Sequence, residues 1–295
     1  MKSPVTYSSN VDIIDKIPSK DIVELYKNDL NIEVGNYFKE IEFTTICQCR
    51  DTHYRYYYPD TIFGNAEFYE KLQKNDFYYT QRNWEYNGAQ KYLEQNDLVL
   101  DIGCGAGIFI ERLRNSNIKA AGLELNEKAI EICRQKKLNV TNELIQNHAD
   151  NHPEKYDAVC AFHVLEHIYD VKSFIDACCK TLKKGGKLIF AVPNNNPYFL
   201  KYDRMHTLNL PPHHAGLWNK EAFNSLPKFF PISCSHIYVE PLYNRHSLIE
   251  SYIKNKGNSK SLKLFKKIPP GLVNRLFYPL HLFVQGKSLL AVFKK

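Results

Sequence analysis

The chain has 295 residues, 44% of them hydrophobic and 24% charged, the balance of a soluble globular protein with a sizeable core. Its net charge of +7 is modest, and much of it sits in Lys254, Lys256, Lys260, Lys263, Lys266 and Lys267. No secretory layout opens the sequence and no stretch reaches the ~20 apolar residues that cross a bilayer, so a transmembrane chain is excluded and a cytoplasmic protein is expected.

Residues 1–95 read as a helical and loop-like extension. Twelve aromatic residues fall between Tyr54 and Tyr86. They are not interleaved with a strong basic cluster, so packing on the main domain is expected rather than stacking on bases. Cys47 and Cys49 form one CxC pair with no second pair nearby, whereas a zinc ribbon needs two. The eight cysteines therefore read as reduced thiols, Cys178 and Cys179 as core, and no metal is expected.

From 96 to about 193 strands and helices alternate, which predicts a parallel sheet covered on both faces. Strands are expected at 98–102, 119–124, 139–142, 156–164 and 187–192. A helix at 107–115 follows the first strand. Asn126 and Asp170 stand where they can cap the next two helices, and Val171, Phe174, Ile175, Cys178 and Leu182 form one stripe of the later one. Lys183, Lys184, Gly185 and Gly186 are placed to end that helix with cations and a left-handed cap. Two more strands, 232–240 and 288–293, close the pattern, separated by a lysine-rich segment. The chain divides into an N-terminal extension (1–95), a main domain (96–241 and 287–295) and a basic insertion (242–286).

In an open parallel sheet, ligands bind beyond the carboxyl ends of the strands. The first strand ends at Asp101 and then Gly103, Cys104, Gly105, Ala106 and Gly107, a GxGxG turn whose main-chain N–H groups suit a carboxylate or phosphate. Ile108 fills the place where the GxGxxG of dinucleotide enzymes has its last glycine. Glu124 ends the second strand, positioned to accept hydrogen bonds from both hydroxyls of a ribose; the plainer alternative is a surface acid. An adenine is expected near Asn142 and Glu143, with Asp150 as an alternative acid. His163, Glu166 and His167 spell HxxEH after the fourth strand, but no third metal ligand is evident. Phe162 and His163 are expected to line the pocket, and Glu166 and His167 to brace the turn.

The stretches LDIGCGAGIF, GLELN, YDAVCAFHVLEHIYD and LKKGGKLIFAVPN, in this order and spacing, resemble the successive motifs of class I S-adenosylmethionine-dependent methyltransferases. The branch they are most similar to holds quinone-biosynthesis and bacterial surface-glycan methyltransferases, and the likeness covers about residues 75–240. It implies a seven-stranded Rossmann-like sheet whose last strand is antiparallel and inserts beside the fifth. It also implies that Asp101, Gly103, Cys104, Gly105 and Gly107 hold the methionine part of the cofactor, that Glu124 takes the ribose, and that Leu125 packs on adenine. Phe162 and His163 would approach the sulfonium, and the segment 78–84, with Tyr79, Arg82 and Trp84, would fold over the amino-acid end. An aromatic ring beside a sulfonium is sensible because its face attracts positive charge.

The segment after the fifth strand concentrates His206, His213 and His214 with Asp203 and Arg204 in a proline-limited loop. Histidine is the side chain whose ordinary pKa suits a base at neutral pH, so these three are the candidates to deprotonate an acceptor hydroxyl. The alternative is that His213 and His214 only pack against Trp218. Asn195-Asn196-Pro197-Tyr198 is set aside as an amino-methylating motif, since that motif belongs after the fourth strand. The expected function is O-methylation of a small molecule, sugar or lipid-linked glycan acceptor. The alternatives are a quinone precursor or RNA as acceptor, a non-catalytic cofactor-binding protein, and an NAD dehydrogenase, which Ile108 disfavours. The lysines of 254–267 read as a solvated face, or as a surface for an anionic partner such as a phospholipid head group.

Overall fold

The computed structural model describes residues 1–72, 83–195, 205–242, 245–255, 259–282 and 284–295. In chain order the strands are β1 (Val11–Pro18), β2 (Phe43–Cys49), β3 (Arg55–Tyr58), β4 (Leu98–Ile102), β5 (Lys119–Leu123), β6 (Val140–Thr141), β7 (Tyr156–Phe162), β8 (Leu182–Pro193), β9 (Gly216–Leu217), β10 (Ser233–Val239) and β11 (Ser288–Lys294). The helices up to β8 are α1 (Ser19–Leu30), α2 (Ala66–Leu72), α3 (Asn83–Gln90), α4 (Ile108–Asn115), α5 (Glu127–Gln135), α6 (Ile145–Asn151) and α7 (Val171–Thr181).

Seven strands form the main sheet in the order β10-β11-β8-β7-β4-β5-β6. β4 lies parallel to both β5 and β7, and β8 parallel to β7. β11 is antiparallel to its neighbours β8 and β10. The expected Rossmann-like sheet, with its last strand inserted antiparallel beside the fifth, is therefore the observed one. Its strands are apolar runs because helices cover both faces: Val159, Phe190, Leu289 and Phe293 are fully buried. α7 buries the predicted stripe, Val171, Phe174, Ile175 and Cys178 among it, each side chain contributing roughly 1.5–3 kcal/mol of apolar burial. Asn126 caps α5 by accepting from the N–H groups of Lys128 and Ala129, and Asp170 caps α7 through the Ser173 N–H.

Two expectations are corrected. The N-terminal extension is not merely helical: β1, β2 and β3 form a four-stranded antiparallel sheet completed by β9, from the histidine-bearing loop. The alternation in β1 is broken by a register shift between Ile13 and Asp15, and its pairing partner lies some thirty residues on, so no local period revealed it. The second correction concerns the end of α7, which stops at Thr181. Leu182 already pairs with Tyr156, and Lys183 and Lys184 belong to β8 rather than to a helix end. Gly185 is still left-handed, at φ +82°, but inside the strand's entry and not as a helix cap. Lys183 instead donates to Asp157 across the sheet at 2.8 Å.

Candidate active site

The turn after β4 is hung on the end of β5. The N–H groups of Gly103 and Cys104 both donate to the Leu123 carbonyl, at 2.7 and 3.1 Å. Gly103, Gly105 and Gly107 all have left-handed backbone, at φ +66°, +53° and +74°, which glycine alone adopts without steric cost. A Cβ at Gly103 would meet Val164 at 2.5 Å and one at Gly107 would meet Leu138 at 2.3 Å. At Gly105 it would meet no atom within 4 Å. The first and third glycines thus serve packing, and the middle one presents open main chain. Cys104 turns its side chain into the small core of Ile110, Cys133 and Leu138, so it offers a ligand main chain only.

Glu124 faces this turn. One of its oxygens accepts the Gly105 N–H at 2.8 Å, and the other accepts the N–H groups of Leu125 and Asn126, at 2.8 and 2.9 Å. A half-buried carboxylate is therefore held in place by main chain, beside the open glycine, while the adjacent Leu125 side chain stands 56% exposed. Asp101 lies buried beneath the turn, and burial, then the charge of Glu124, pushes its pKa well above the carboxylate range. A carboxylate held by main-chain donors, a glycine with open space beside it and an exposed apolar side chain fit the ribose, tail and base of a nucleoside cofactor.

Next along the sheet edge, Phe162 is buried in a cluster with Phe109 and Tyr86. Its ring meets Phe109 edge-on at 4.7 Å and Tyr86 at 5.0 Å. His163, at φ +55°, carries an imidazole between two acids: Nε2 lies 3.1 Å from Glu85 and Nδ1 3.2 Å from Glu166. A non-glycine residue in this region is strained and persists because its surroundings hold it there. Ser288 donates to Glu85 at 2.7 Å. Burial alone would raise the Glu85 pKa, but His163 and Ser288 together pull it down to about 2. Glu166, which is 1% exposed, is likewise held below its ordinary range against its burial. Glu85 had no motif to mark it; it lies on α3 among aromatic residues, and only the fold carries it to His163. Trp84, on the same helix, is half-buried against the Phe109 cluster. Tyr79 and Arg82 lie outside the described residues, as do Asn196, Pro197, Tyr198, Asp203 and Arg204.

The histidine loop closes over the same edge. The Ala215 N–H donates to the Glu166 carbonyl at 2.8 Å, the Asn195 N–H to the Trp218 carbonyl at 2.8 Å, and the Tyr57 N–H to the Ala215 carbonyl at 3.0 Å. Trp218 is fully buried against Tyr54 and Phe223. His213 and His214 are buried and meet His167, which ends the 3-10 turn Leu165–His167. Their ring centroids lie 4.6 Å (His167–His213), 5.0 Å (His167–His214) and 4.6 Å (His213–His214) apart. Burial, then His213 and His167, pushes the His214 pKa well below the imidazole range, so that ring is neutral. His206 is exposed at the start of the turn Thr207–Asn209. Beyond its expected place in the turn, His167 is a member of this histidine group, which the sequence did not reveal.

A glycine turn after the first strand of an α/β sheet, an acid at the next strand end and an inserted antiparallel strand define a nucleoside-cofactor enzyme of the methyltransferase class. A family model described as "Methyltransferase domain" matches residues 72–247. The chain belongs to that family, one of class I S-adenosylmethionine-dependent methyltransferases. It is 35% identical over 104 residues to proteins named "Ubiquinone biosynthesis O-methyltransferase" in Yersinia pestis and Yersinia pseudotuberculosis, a match covering 33% of this chain and 43% of each relative. The chain thus matches less than half the length of these curated relatives. A solved structure of a SAM-dependent methyltransferase from Archaeoglobus fulgidus shares the fold, with a TM-score of 0.52 at 18% identity, over 78% of this chain and all of that one.

Proposed function

We propose that this chain is an O-methyltransferase that methylates a hydroxyl of a small molecule, most specifically a sugar or a lipid-linked glycan precursor. The observation that carries the reading is the cluster of His167, His213 and His214 over the carboxyl edge of the sheet, in which burial holds His214 neutral. A neutral imidazole is the group a hydroxyl acceptor needs beside it, and His213 and His214 are the candidates, with His206 available from the surface. S-adenosylmethionine, when bound, supplies a methyl carbon activated by the neighbouring sulfonium charge. The chain's part is to hold and orient. Glu124 takes the ribose hydroxyls in place of main-chain donors and Leu125 covers the adenine. The main chain of Gly103, Cys104, Gly105 and Gly107, with Asp101 behind it, receives the amino-acid end. Tyr79, Arg82 and Trp84 belong to the same proposed cofactor set. The Phe162 ring supports from beneath, and His163, clamped by Glu85 and Glu166, keeps the turn rigid.

A quinone precursor is the second reading, favoured by the names of the Yersinia relatives. RNA as acceptor predicts binding that falls steeply with salt. In this reading the protein is cytoplasmic and touches membranes only from outside; no helix among the described residues is long and apolar enough to cross one. Residues 251–295 contain nine lysines, one arginine and no aspartate or glutamate. In the helices Ser259–Phe265 and Pro270–Leu276, Leu264, Leu272 and Leu276 are exposed among these cations. Exposed apolar side chains in a segment rich in lysine suit an anionic lipid surface, where a lipid-linked acceptor would be met.

Calorimetry with S-adenosylmethionine, S-adenosylhomocysteine and NAD tests the reading, followed by a methyl-transfer screen of glycan and phenolic acceptors. Micromolar binding of both sulfur ligands and turnover on a hydroxyl acceptor support it. Preference for NAD would overturn it, and cofactor binding without turnover on any acceptor would leave a binding protein with this fold.

A further inference from the structure

HxxEH pairs His163 with His167 in the sequence, but the fold separates them. His163 turns to Glu85 and Glu166, and His167 gains two partners from a loop 46 residues further on. One ring nitrogen from each of His167, His213 and His214 lies within 4.8 Å of the others.

The hydrogen bonds at the backs of these rings set their tautomers. His167 Nδ1 lies 2.7 Å from the His213 carbonyl and His213 Nδ1 lies 2.8 Å from the Leu208 carbonyl. A carbonyl only accepts, so both Nδ1 atoms carry the proton, and in the neutral rings Nε2 carries the lone pair. His214 Nδ1 lies 3.0 Å from Asn209 Oδ1. That amide is oriented by a chain: Asn195 donates to the Pro193 carbonyl at 3.2 Å, leaving its own oxygen to accept from Asn209 Nδ2 at 2.8 Å. Asn209 must therefore present its oxygen to His214, which also carries its proton on Nδ1. All three imidazoles are thereby fixed in the tautomer of a metal ligand, with the far nitrogen donating to an oxygen.

A second observation points to a cation. Glu166 is buried, its Oε1 lies 4.0 Å from His167 Nε2, and its Oε2 has no hydrogen-bond partner among the described residues. A buried carboxylate oxygen with no donor is costly. His167 Nε2 is the ring nitrogen that faces this carboxylate, and a positive ion held by the three rings would offset the cost of burying it.

We propose that His167, His213 and His214 bind a divalent transition-metal ion through Nε2, with Glu166 behind them and a coordination position left for an oxygen of the methyl acceptor. Imidazole donors select ions of the zinc, cobalt and iron type over magnesium or calcium. Three protein ligands with an open position is the arrangement of catalytic rather than structural sites. The metal site itself stands on these side chains alone; its role for the acceptor rests on the O-methyltransferase reading. In that role His213 and His214 are ligands rather than bases: the ion holds the acceptor oxygen and lowers its pKa, and the proton it sheds leaves to water.

The test is cobalt(II) titration of the chelator-dialysed full chain, followed by visible ligand-field absorption, alongside calorimetry with S-adenosylhomocysteine. One equivalent is expected to bind with a tetrahedral-type spectrum. His167→Asn and His213→Asn keep a donor where Nδ1 was and remove Nε2, and each is expected to weaken cobalt at least ~10-fold. His236→Ala, on the exposed edge strand, is the control. An unsaturable or absent cobalt spectrum in the unmodified chain overturns the site, as does unchanged affinity in both asparagine variants. If S-adenosylhomocysteine binds and cobalt does not, the metal site fails and the methyltransferase reading stands. If cobalt binds and S-adenosylhomocysteine does not, the reverse holds.

Discussion

Glu124 accepts the N–H of Gly105 at 2.8 Å, so the acid that ends β5 and the open glycine of the turn after β4 face each other across the sheet's carboxyl edge. The contact pre-forms the ribose end of the proposed cofactor site. Charged hydrogen bonds contribute roughly 1.5–3 kcal/mol each, so Glu124→Ala is expected to weaken S-adenosylhomocysteine at least ~10-fold by calorimetry. Binding unchanged in this variant would remove Glu124 from the site.

The glycines of the turn are expected to separate binding from stability. Gly105→Ala places a methyl in open space, on left-handed backbone that costs roughly 1–2 kcal/mol; its main effect should be lost cofactor affinity. Gly107→Ala carries the same strain and also drives a methyl into Leu138, with overpacking adding roughly 1–3 kcal/mol. Thermal melts with and without S-adenosylhomocysteine should show the larger fall in Tm for Gly107→Ala.

Glu85 makes stability acid-sensitive. Its folded pKa, about 2, lies below the ordinary 4.5. Its contribution is therefore complete above about pH 4.5 and is lost as pH falls toward 2, because the unfolded chain takes up a proton over that interval that the folded chain refuses. Glu85→Gln is expected to cost on the order of 1–3 kcal/mol at pH 7 and much less at pH 3. Urea unfolding at the two pH values checks this; an equal cost at both would place the Glu85–His163 contact among the dispensable ones.

His214 acts at milder pH and with the same sign. Its folded pKa is depressed by burial, so below about pH 6.5 the unfolded chain binds a proton that the folded chain refuses. Stability is expected to be full above that pH and to decline as pH falls from 7 to 5. His214→Asn retains a donor toward Asn209 and removes the titration, so its stability should change less over that interval in parallel melts.

The basic segment predicts sedimentation with vesicles. The full chain should co-sediment with vesicles rich in phosphatidylglycerol and not with pure phosphatidylcholine, and salt should weaken the binding. Leu272→Ser with Leu276→Ser removes exposed apolar area without touching charge. Unchanged sedimentation in that variant would leave electrostatics alone as the cause.

The sequence by itself determined the strands of the main sheet, the glycine turn, the place of Glu124 at the end of β5 and the caps Asn126 and Asp170. Each of these is local: an apolar run, a left-handed turn that wants glycine, a side-chain oxygen two or three residues from the N–H groups it serves. The tertiary structure alone decided the rest. β1–β3 pair with one another and with β9, and strand pairing over such separations leaves no period in the chain. Glu85 reaches His163 across 78 residues and Ser288 across 203. His167 meets His213 because the loop before β9 is fastened to the N-terminal sheet and to Glu166. Side chains brought together by packing carry no signature in sequence spacing, and so the histidine group became visible only once the two sheets had joined.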